Sequence, residues 1–452
     1  MTKIEMKDIV EFSKNRWFVY QWSEIYGWLA NTWDYWPYGS LLKENLKNIW
    51  IKNFVQERND MTLMDAAIFM NPQVWITSGH VWGFSDPLMD CKSCKQRLRA
   101  DKLIEEYIEK SKDSELPKDW AWEGTPTNNL SEYISKKDIS CPFCWKKDFT
   151  QIRKFNLMFK THQWVLEDSS SIVYLRPETA GWIFVNFANV LRTSRKKIPF
   201  GIAQIWKAFR NEITPWNFIF RTREFEQMEI EFFCEPGTDL DWHEKWKKDC
   251  MDFFINIIWI KKENLRFRDH SPDELSHYSS ATTDVEYKFP FGWWELQWIA
   301  DRTDFDLSAH MKESKTDLSY FDPVNNKKYI PYVIEPSLWL TRLFLVTLLD
   351  AYSEEETEEW KRIVLKLNPN LAPIKVAILP IVKKLKNEAM EIYNQLSKDF
   401  MCEYDEAGPI GKRYYRFDEI GTPFCISIDS ENYNSWDRKS TRLNSSHTVI
   451  SY

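Results

Sequence analysis

Two features of this chain have residue types and spacing suited to chemistry. The first is a pair of cysteine doublets, CKSC (Cys91, Cys94) and CPFC (Cys141, Cys144), with 46 residues between them. Each C-x2-C turn aims two sulfurs at one point, and two such knuckles supply four thiolates for tetrahedral Zn2+. The separation is longer than a single zinc ribbon, so the doublets are expected to clasp the base of an insertion spanning about 91–148. The alternative is incidental cysteine in a loop or a degenerate site. Cys234, Cys250, Cys402 and Cys425 are scattered and read as core residues.

The second feature is the stretch FRNEITPWNFIFRTREFEQMEIEFF, residues 209–233. At a strand period of two, one face carries Arg221, Arg223, Phe225, Gln227, Glu229 and Glu231. The other carries Phe218, Phe220, Met228, Ile230 and Phe232, interrupted by Glu224 and Glu226. Alternating charge usually means a solvated sheet face. Here the charges are sorted, with cations at one end, a ring between, and anions at the other. That order matches a ligand with phosphates, a flat base and an ammonium group, because guanidinium forks suit phosphate and a ring stacks on a purine. Arg210 and Glu212, on the preceding strand-like run, add a further clamp.

The elements that must position these groups follow from the rest of the chain. Its 452 residues allow about two or three domains. With 43% hydrophobic and 28% charged residues the composition is that of a globular protein. No run of 18 apolar residues indicates a membrane helix, and the charged N-terminus lacks a signal core, which favours the cytoplasm. A net charge of −7 argues against a general nucleic-acid coat, while leaving room for the basic patch Arg192 to Lys197. A helical opening and an amphipathic stretch with Leu41, Leu42, Leu46, Ile49 and Phe54 occupy the first 90 residues. Strand-like runs dominate from 150 to about 350, turning apolar and helical after Pro336. A charged linker, SEEETEEWKRI, leads to a strand followed by an amphipathic helix, the start of an α/β module.

One statistic is abnormal. The chain has 24 Trp and only 12 Gly, whereas glycine alone is ordinarily about 7% of residues. The excess tryptophan stands where glycine chemistry is expected, as in ITPWNF, EIYGWLANT, CPFCWKK and FGWWELQW. After Pro215 a turn wants a residue tolerant of positive φ, and Trp216 is a poor choice. We read many of these tryptophans as glycine positions, from a gene whose UGA codon means glycine. UGG codons at Trp216 and Trp339 would end that reading, whose alternative is a genuinely tryptophan-rich protein. Trp33, Trp50, Trp75, Trp120 and Trp122 look native by context. The stretch from Arg438, RKSTRLNSSHTVISY, has no hydrophobic period and reads as a non-native tail on 438–452, with a disordered native tail as the alternative.

FRNE…RTREFEQMEIEFF resembles motif 2 of the class II aminoacyl-tRNA synthetases, in the form found in dimeric glycyl-tRNA synthetases. WSEIYGWLANTWDYWPYG, SGHV…DPLMDCKSCKQRLRAD, RPETA, FGWWELQWIADRTDFDL and EPSLWLTR follow the family order, over about residues 5–430. In nearly every mismatch the family has Gly where this chain has Trp.

The resemblance implies an α+β protein. A class II antiparallel sheet flanked by helices (1–360) would carry the cysteine-bracketed insertion, followed by a shortened α/β anticodon-binding domain (361–437). The implied reaction joins glycine to ATP and passes it to the end of tRNA(Gly), with Mg2+, in a cytoplasmic homodimer whose interface includes Trp36 to Trp50. By the same resemblance Arg210 and Arg342 are catalytic, holding the α- and γ-phosphates. Arg210, Asn211, Glu212, Phe220, Arg221, Thr222, Arg223, Glu224, Phe225, Glu295, Leu296, Trp339, Leu340, Thr341 and Arg342 form the ATP site. Glycine falls to Arg99, Glu178, Phe225, Glu226, Gln227, Met228, Glu229, Glu335, Pro336, Ser337, Leu338 and Trp339. Glycine offers no side chain to grip, so carboxylates must hold its ammonium and lack of room must reject larger amino acids, which demands no editing domain. Gly181 stands where the family has Gln. An indole at Trp339, and one at Trp182, would lie at the glycine pocket, and the first would block both substrates. The rival readings are a synthetase for serine, proline or threonine, a non-catalytic synthetase-like RNA-binding protein, and a generic zinc-ribbon protein.

Overall fold

A computed structural model describes residues 4–429 and 441–443, except 22, 28, 112–114, 119, 121–124, 166–170, 213–216 and 357–360. Its centre is a seven-stranded sheet of β1 (Met61–Leu63), β2 (Phe200–Phe209), β3 (Glu224–Cys234), β4 (Leu265–Asp269), β5 (Ala281–Phe289), β6 (Gly292–Thr303) and β7 (Tyr332–Trp339). The spatial order is β4–β5–β6–β7–β3–β2–β1. All neighbours are antiparallel except β1, which runs parallel to β2 at the edge.

Covering elements explain why β3 is buried at every residue after Glu224. The even side chains Met228, Ile230 and Phe232 enter the main core with Trp50, Trp246, Leu343 and Phe344. On the odd side, Phe233 packs with Phe200 of β2 and with Phe184, Phe187 and Leu307, which come from helices Ala180–Ser194 and Phe305–Ser314. The odd side chains nearer the start of β3 remain for the site. Helix Pro37–Ile51 begins with proline at its first position, where the missing N–H costs nothing. It lies so close to the segment after the first helix that a Cβ on Gly39 would come within 1.9 Å of the Phe18 carbonyl oxygen, so only glycine fits.

The insertion rests on a three-stranded sheet of Ser85–Asp90, Arg97–Arg99 and Arg153–Asn156. It has its own core, including Leu103, Ile104, Leu130, Tyr133 and Ile134. The C-terminal unit is α/β: Val376–Pro380 pairs in parallel with Cys402–Tyr404 and with Phe424–Ile428. Thr441–Leu443, within the stretch read as a tail, pairs antiparallel with Phe424–Ile428.

Three local expectations are corrected. Phe218–Phe220 is a 3-10 turn rather than strand, entered through Asn217 and Phe218 at φ 49° and 61°, so β3 starts only at Glu224. Arg221 and Arg223 therefore approach the site from a loop. The chain stays extended through Pro336 and turns helical at Leu340. The charged linker is a hairpin of Tyr352–Glu356 and Lys361–Leu365, because Val364 and Leu365 reach the core and fix its register.

Candidate active site

The start of β3 and the end of β7 meet at an aromatic slot. Phe225 and Trp339 stack with ring centres 4.3 Å apart and planes 21° apart. The Arg342 guanidinium lies 4.0 Å from the Trp339 ring centre. It is anchored by Nη1 donating to Glu295 Oε1 at 2.8 Å. Burial is the main influence on Arg342, lowering its pKa to about 10 despite Glu295, so it stays a cation at neutral pH. Arg210, just past β2, has its guanidinium 5.4 Å from Phe225, 5.1 Å from Trp339 and 5.1 Å from Phe84. Its Nε donates to the Pro177 carbonyl at 3.0 Å. Glu212 is buried, with Arg221 Nη1 at 3.9 Å. Arg223 donates to the Glu212 and Ala30 carbonyls.

One step deeper along the same face the site turns acidic. Glu229 is fully buried and held at both oxygens: Ser337 Oγ donates to Oε1 at 2.8 Å and Thr179 Oγ1 donates to Oε2. Glu335 accepts from Arg302 Nη1 at 2.9 Å, and Arg302 also donates to Asp306 at 2.8 and 3.0 Å. Carboxylate oxygens of Glu229, Glu231 and Glu335 all lie within 4.8 Å of one another. Burial, then the Glu335 charge, holds the carboxyls of Glu229 and Glu231 well above the usual range. Neither oxygen of Glu231 has a hydrogen-bond partner. Glu178 lies 3.3 Å from His80 Nε2. Burial would raise its pKa, but His80, Arg302 and Arg210 outweigh that and bring it to about 2. The arrangement is a pocket with cations and rings at its mouth and crowded carboxylates at its floor, suited to a small zwitterion beside a nucleotide.

The structure thus brings together Arg210, Glu212, Phe225, Gln227, Glu229, Glu295, Glu335, Ser337, Trp339 and Arg342. Others named from motif ranges are displaced by strand alternation. Met228, Leu296, Leu338 and Leu340 belong to the core, and Pro336 faces with Leu338, away from Glu335 and Ser337. Glu226 is held on the opposite side by Lys43 and Lys47, each at 2.7 Å. There a second cavity of about 530 Å³ opens, lined by Trp33, Tyr35, Lys43 and Glu226 among others. Glu224 pairs at the surface with Lys207. Phe220 packs on Phe289 and Phe291, reaching Arg342 from below. Asn211 N donates to the distant Leu157 carbonyl and Thr222 Oγ1 to the Glu224 carbonyl, and the Thr341 hydroxyl is buried beside the second cavity. Arg99 stands at the insertion base, paired with Asp86 at 2.9 Å and Asp101 at 2.6 Å. Trp182 packs with Met70, Trp75, Met158 and Tyr174 rather than in the pocket. Trp50 is 2% exposed in the chain's own core, so it cannot serve as an interface residue. Trp122 and Trp216 lie outside the described residues.

Sequence reasoning passed over Arg302, Asp306, Thr179 and His80. The signal for the first two was present in ADRTDFDL, where an Arg and an Asp four residues apart bracket the start of a helix. His80 lay within the quoted SGHV motif, but nothing in that motif pairs it with Glu178, because it comes from a distant short helix.

The cysteine doublets converge. Cys91 and Cys144 sulfurs are 3.5 Å apart, Cys94 and Cys141 3.7 Å. A tetrahedron with Zn–S of about 2.3 Å has edges of about 3.8 Å, so the four sulfurs fit that ion. The knuckles are matching turns: Lys95 N donates to Cys91 O at 2.8 Å and Trp145 N to Cys141 O at 2.9 Å.

Comparison with known proteins agrees with this geometry. A tRNA synthetase class II core domain (G, H, P, S and T) matches residues 159–352, an anticodon binding domain 375–442, and glycyl-tRNA synthetase insertion domain 1 residues 86–124. The glycine–tRNA ligase of Acetivibrio thermocellus is 62% identical over 433 residues, 96% of this chain and 92% of its own. That of Caldanaerobacter subterraneus is 58% identical over 432 residues, with the same coverage. Among solved structures, Giardia lamblia prolyl-tRNA synthetase with prolyl-adenylate superposes at TM-score 0.62 and 13% identity, over 97% of this chain and 74% of that one. Such identity speaks to the fold alone. With identities near 60% over almost its whole length, the chain belongs to the glycine–tRNA ligase family of class II aminoacyl-tRNA synthetases.

Proposed function

We propose that this chain carries the machinery for activating glycine with ATP and transferring it to tRNA(Gly). The carboxylate floor is the observation that carries this reading. Glu178 and Glu335 crowd upon Glu229, which is itself held by Ser337 and Thr179. An ammonium seated there points its own carboxylate toward Arg210. A carboxylate oxygen then attacks the α-phosphorus, forming the acyl–phosphate bond as the bond to pyrophosphate breaks. Arg210 neutralises charge at the reacting phosphate and Arg342 the charge on the leaving group. Mg2+ would supply further neutralisation on the phosphates, and Glu295, 34% exposed beside Arg342, is the carboxylate placed to hold it. Zn2+ in the cysteine cluster would have a structural role.

In this reading residues 1–360 form the catalytic domain around the insertion, and the unit beyond 361 reads the anticodon. The enzyme works in the cytoplasm as a homodimer. The chain as written has a tryptophan in the nucleotide slot, so the test uses Trp339→Gly. Glycine-dependent ATP–pyrophosphate exchange is expected, with serine, proline, threonine and alanine giving none. Exchange with another of these amino acids and not with glycine would refute the assignment.

A further inference from the structure

Glu231 is a glutamate the reaction does not use, sunk behind those that it does. It is 0% exposed. The ladder that pairs Glu229 with Ser337 and Phe232 with Ile334 sets it across from Glu335. One carboxyl oxygen from each of Glu229, Glu231 and Glu335 lies within 4.8 Å of the other two.

The neighbouring acids are supplied with donors. Glu229 accepts from Ser337 and Thr179, and Glu335 accepts from Arg302 Nη1. Arg302 directs its Nε and Nη2 to Asp306. Neither oxygen of Glu231 receives any hydrogen bond. An ionised carboxylate can only accept, and burying one with no donor carries its full desolvation cost. Two carboxyls facing each other become partners only when one of them holds a proton.

The surroundings offer no other source of positive charge to Glu231. Glu229 stands on its own strand, Glu335 on β7, and Arg302 near the end of β6. Helix Phe305–Ser314 brings Asp306, with His310 one turn on and its pKa lowered by burial. Glu178 precedes helix Ala180–Ser194, and the Tyr278 ring lies over Arg302 at 4.2 Å. On β2 the residue opposite Glu231 is Ile202, and Gln204 stands opposite Glu229. Glu229, Glu231, Glu335 and Asp306 thus share the Arg302 guanidinium. Burial and the Glu335 charge act together to hold the Glu231 carboxyl well above the usual range.

We propose that, while the amino-acid pocket is empty, Glu231 carries a proton that it donates to Glu335, and that an ammonium entering the pocket displaces this proton to solvent. The bond that breaks is the O–H of Glu231, and the proton passes to water as the ammonium brings the compensating charge. Glu231 is a positioning residue: it touches no substrate, steadies Glu335 while the pocket waits, and makes amino-acid binding an exchange of one cation for another. The exchange rests on the ligase reading above; the buried proton does not.

Infrared spectroscopy of the full chain at pH 7 tests the proton. The difference spectrum of parent minus Glu231→Gln is expected to show the carbonyl band of a protonated carboxyl. A flat difference there would overturn the proposal. So would a second equivalent of bound metal, beyond that of the cysteine cluster, which Glu231→Gln releases. Calorimetric titration of Trp339→Gly with glycine, in two buffers of unlike ionisation enthalpy, tests the exchange. Release of about one proton per glycine is expected, and binding should tighten by up to about ten-fold per pH unit between pH 6 and 8. Adding Glu231→Gln should abolish both effects and leave the KM for ATP unchanged, whereas a merely structural role would weaken glycine binding equally at every pH. Glycine binding without proton release overturns the exchange and leaves the ligase reading intact. A Glu231 carboxyl band in a protein that binds no glycine leaves the buried proton standing and refutes the ligase reading.

Discussion

Replacing Arg302 with methionine should be far more costly than the loss of a surface charge. The side chain is 5% exposed and makes three charge-assisted hydrogen bonds, two to Asp306 and one to Glu335, at 2.8 to 3.0 Å. Methionine keeps much of the packing against Phe184 and Tyr278 but leaves two buried carboxylates without a cation, beside Glu231, which already lacks a partner. Breaking a buried pair from one side costs about 3–5 kcal/mol, and we expect a loss in that range by urea denaturation at pH 8. The sign with pH follows from the orphaned acids. Their folded-state pKa values rise above the unfolded carboxylate range, so stability falls as pH rises through them, and the deficit should be smaller at pH 5.5 than at pH 8. Adding Glu335→Gln should recover part of the loss, because the neutral amide no longer needs a cation. A loss below about 1 kcal/mol at pH 8, or an equal deficit at both pH values, would refute the claim that Arg302 organises the acid floor.

Further outcomes follow from the same geometry. Glu231→Gln should stabilise the protein above pH 6, with the gain shrinking toward pH 4, because a carboxyl whose folded-state pKa is raised loses its stabilising contribution as pH increases; thermal melts across this range check it, and a flat difference would count against the raised pKa. Ser337→Ala, in the Trp339→Gly background, removes one of the two donors to Glu229 and should raise the KM for glycine about ten-fold, from roughly 1–1.5 kcal/mol of lost hydrogen bonding, with little change in the KM for ATP. Trp75→Gly should cost about 3–5 kcal/mol as a core deletion. Cys94→Ser should release bound zinc, read by metal analysis, and loosen the insertion more than the central sheet in hydrogen exchange.

Much of the site was legible because strand alternation writes itself into sequence. Phe225, Gln227 and Glu229 share a face as their spacing requires, and the motif order placed Arg210 and Arg342 against the same slot. The misplacements have physical causes. Phe218 and Phe220 look like strand residues, but the backbone enters them through left-handed Asn217 and Phe218, which a strand pattern cannot reveal. Pro336 suggests a break, yet it sits within β7 opposite Ile299. The ladder to β3 pairs Glu229 with Ser337 and Phe232 with Ile334, leaving no paired rung at Pro336 itself, as expected of a residue with no N–H. Arg302 was passed over because a buried arginine is rare, and although Asp306 lies only four residues on, its second acid, Glu335, comes from a distant strand. The tryptophan excess was visible as a count, whereas the left-handed backbone at Trp17, Trp145 and Trp259 needed the torsion angles.

The doublets of cysteine close a ring at the foot of the insertion, and Asp86 and Arg99 stand on the two strands that rise from that foot. Their pairing ties the orientation of the appendage to the neighbourhood of Glu212. Whatever hangs between Cys94 and Cys141 can therefore lengthen, shorten or change partners without disturbing the aromatic slot, provided the sulfur ring stays shut. Opening the ring would let Arg99 wander from Asp86, and a lesion far from the sheet would then be felt first around Glu212.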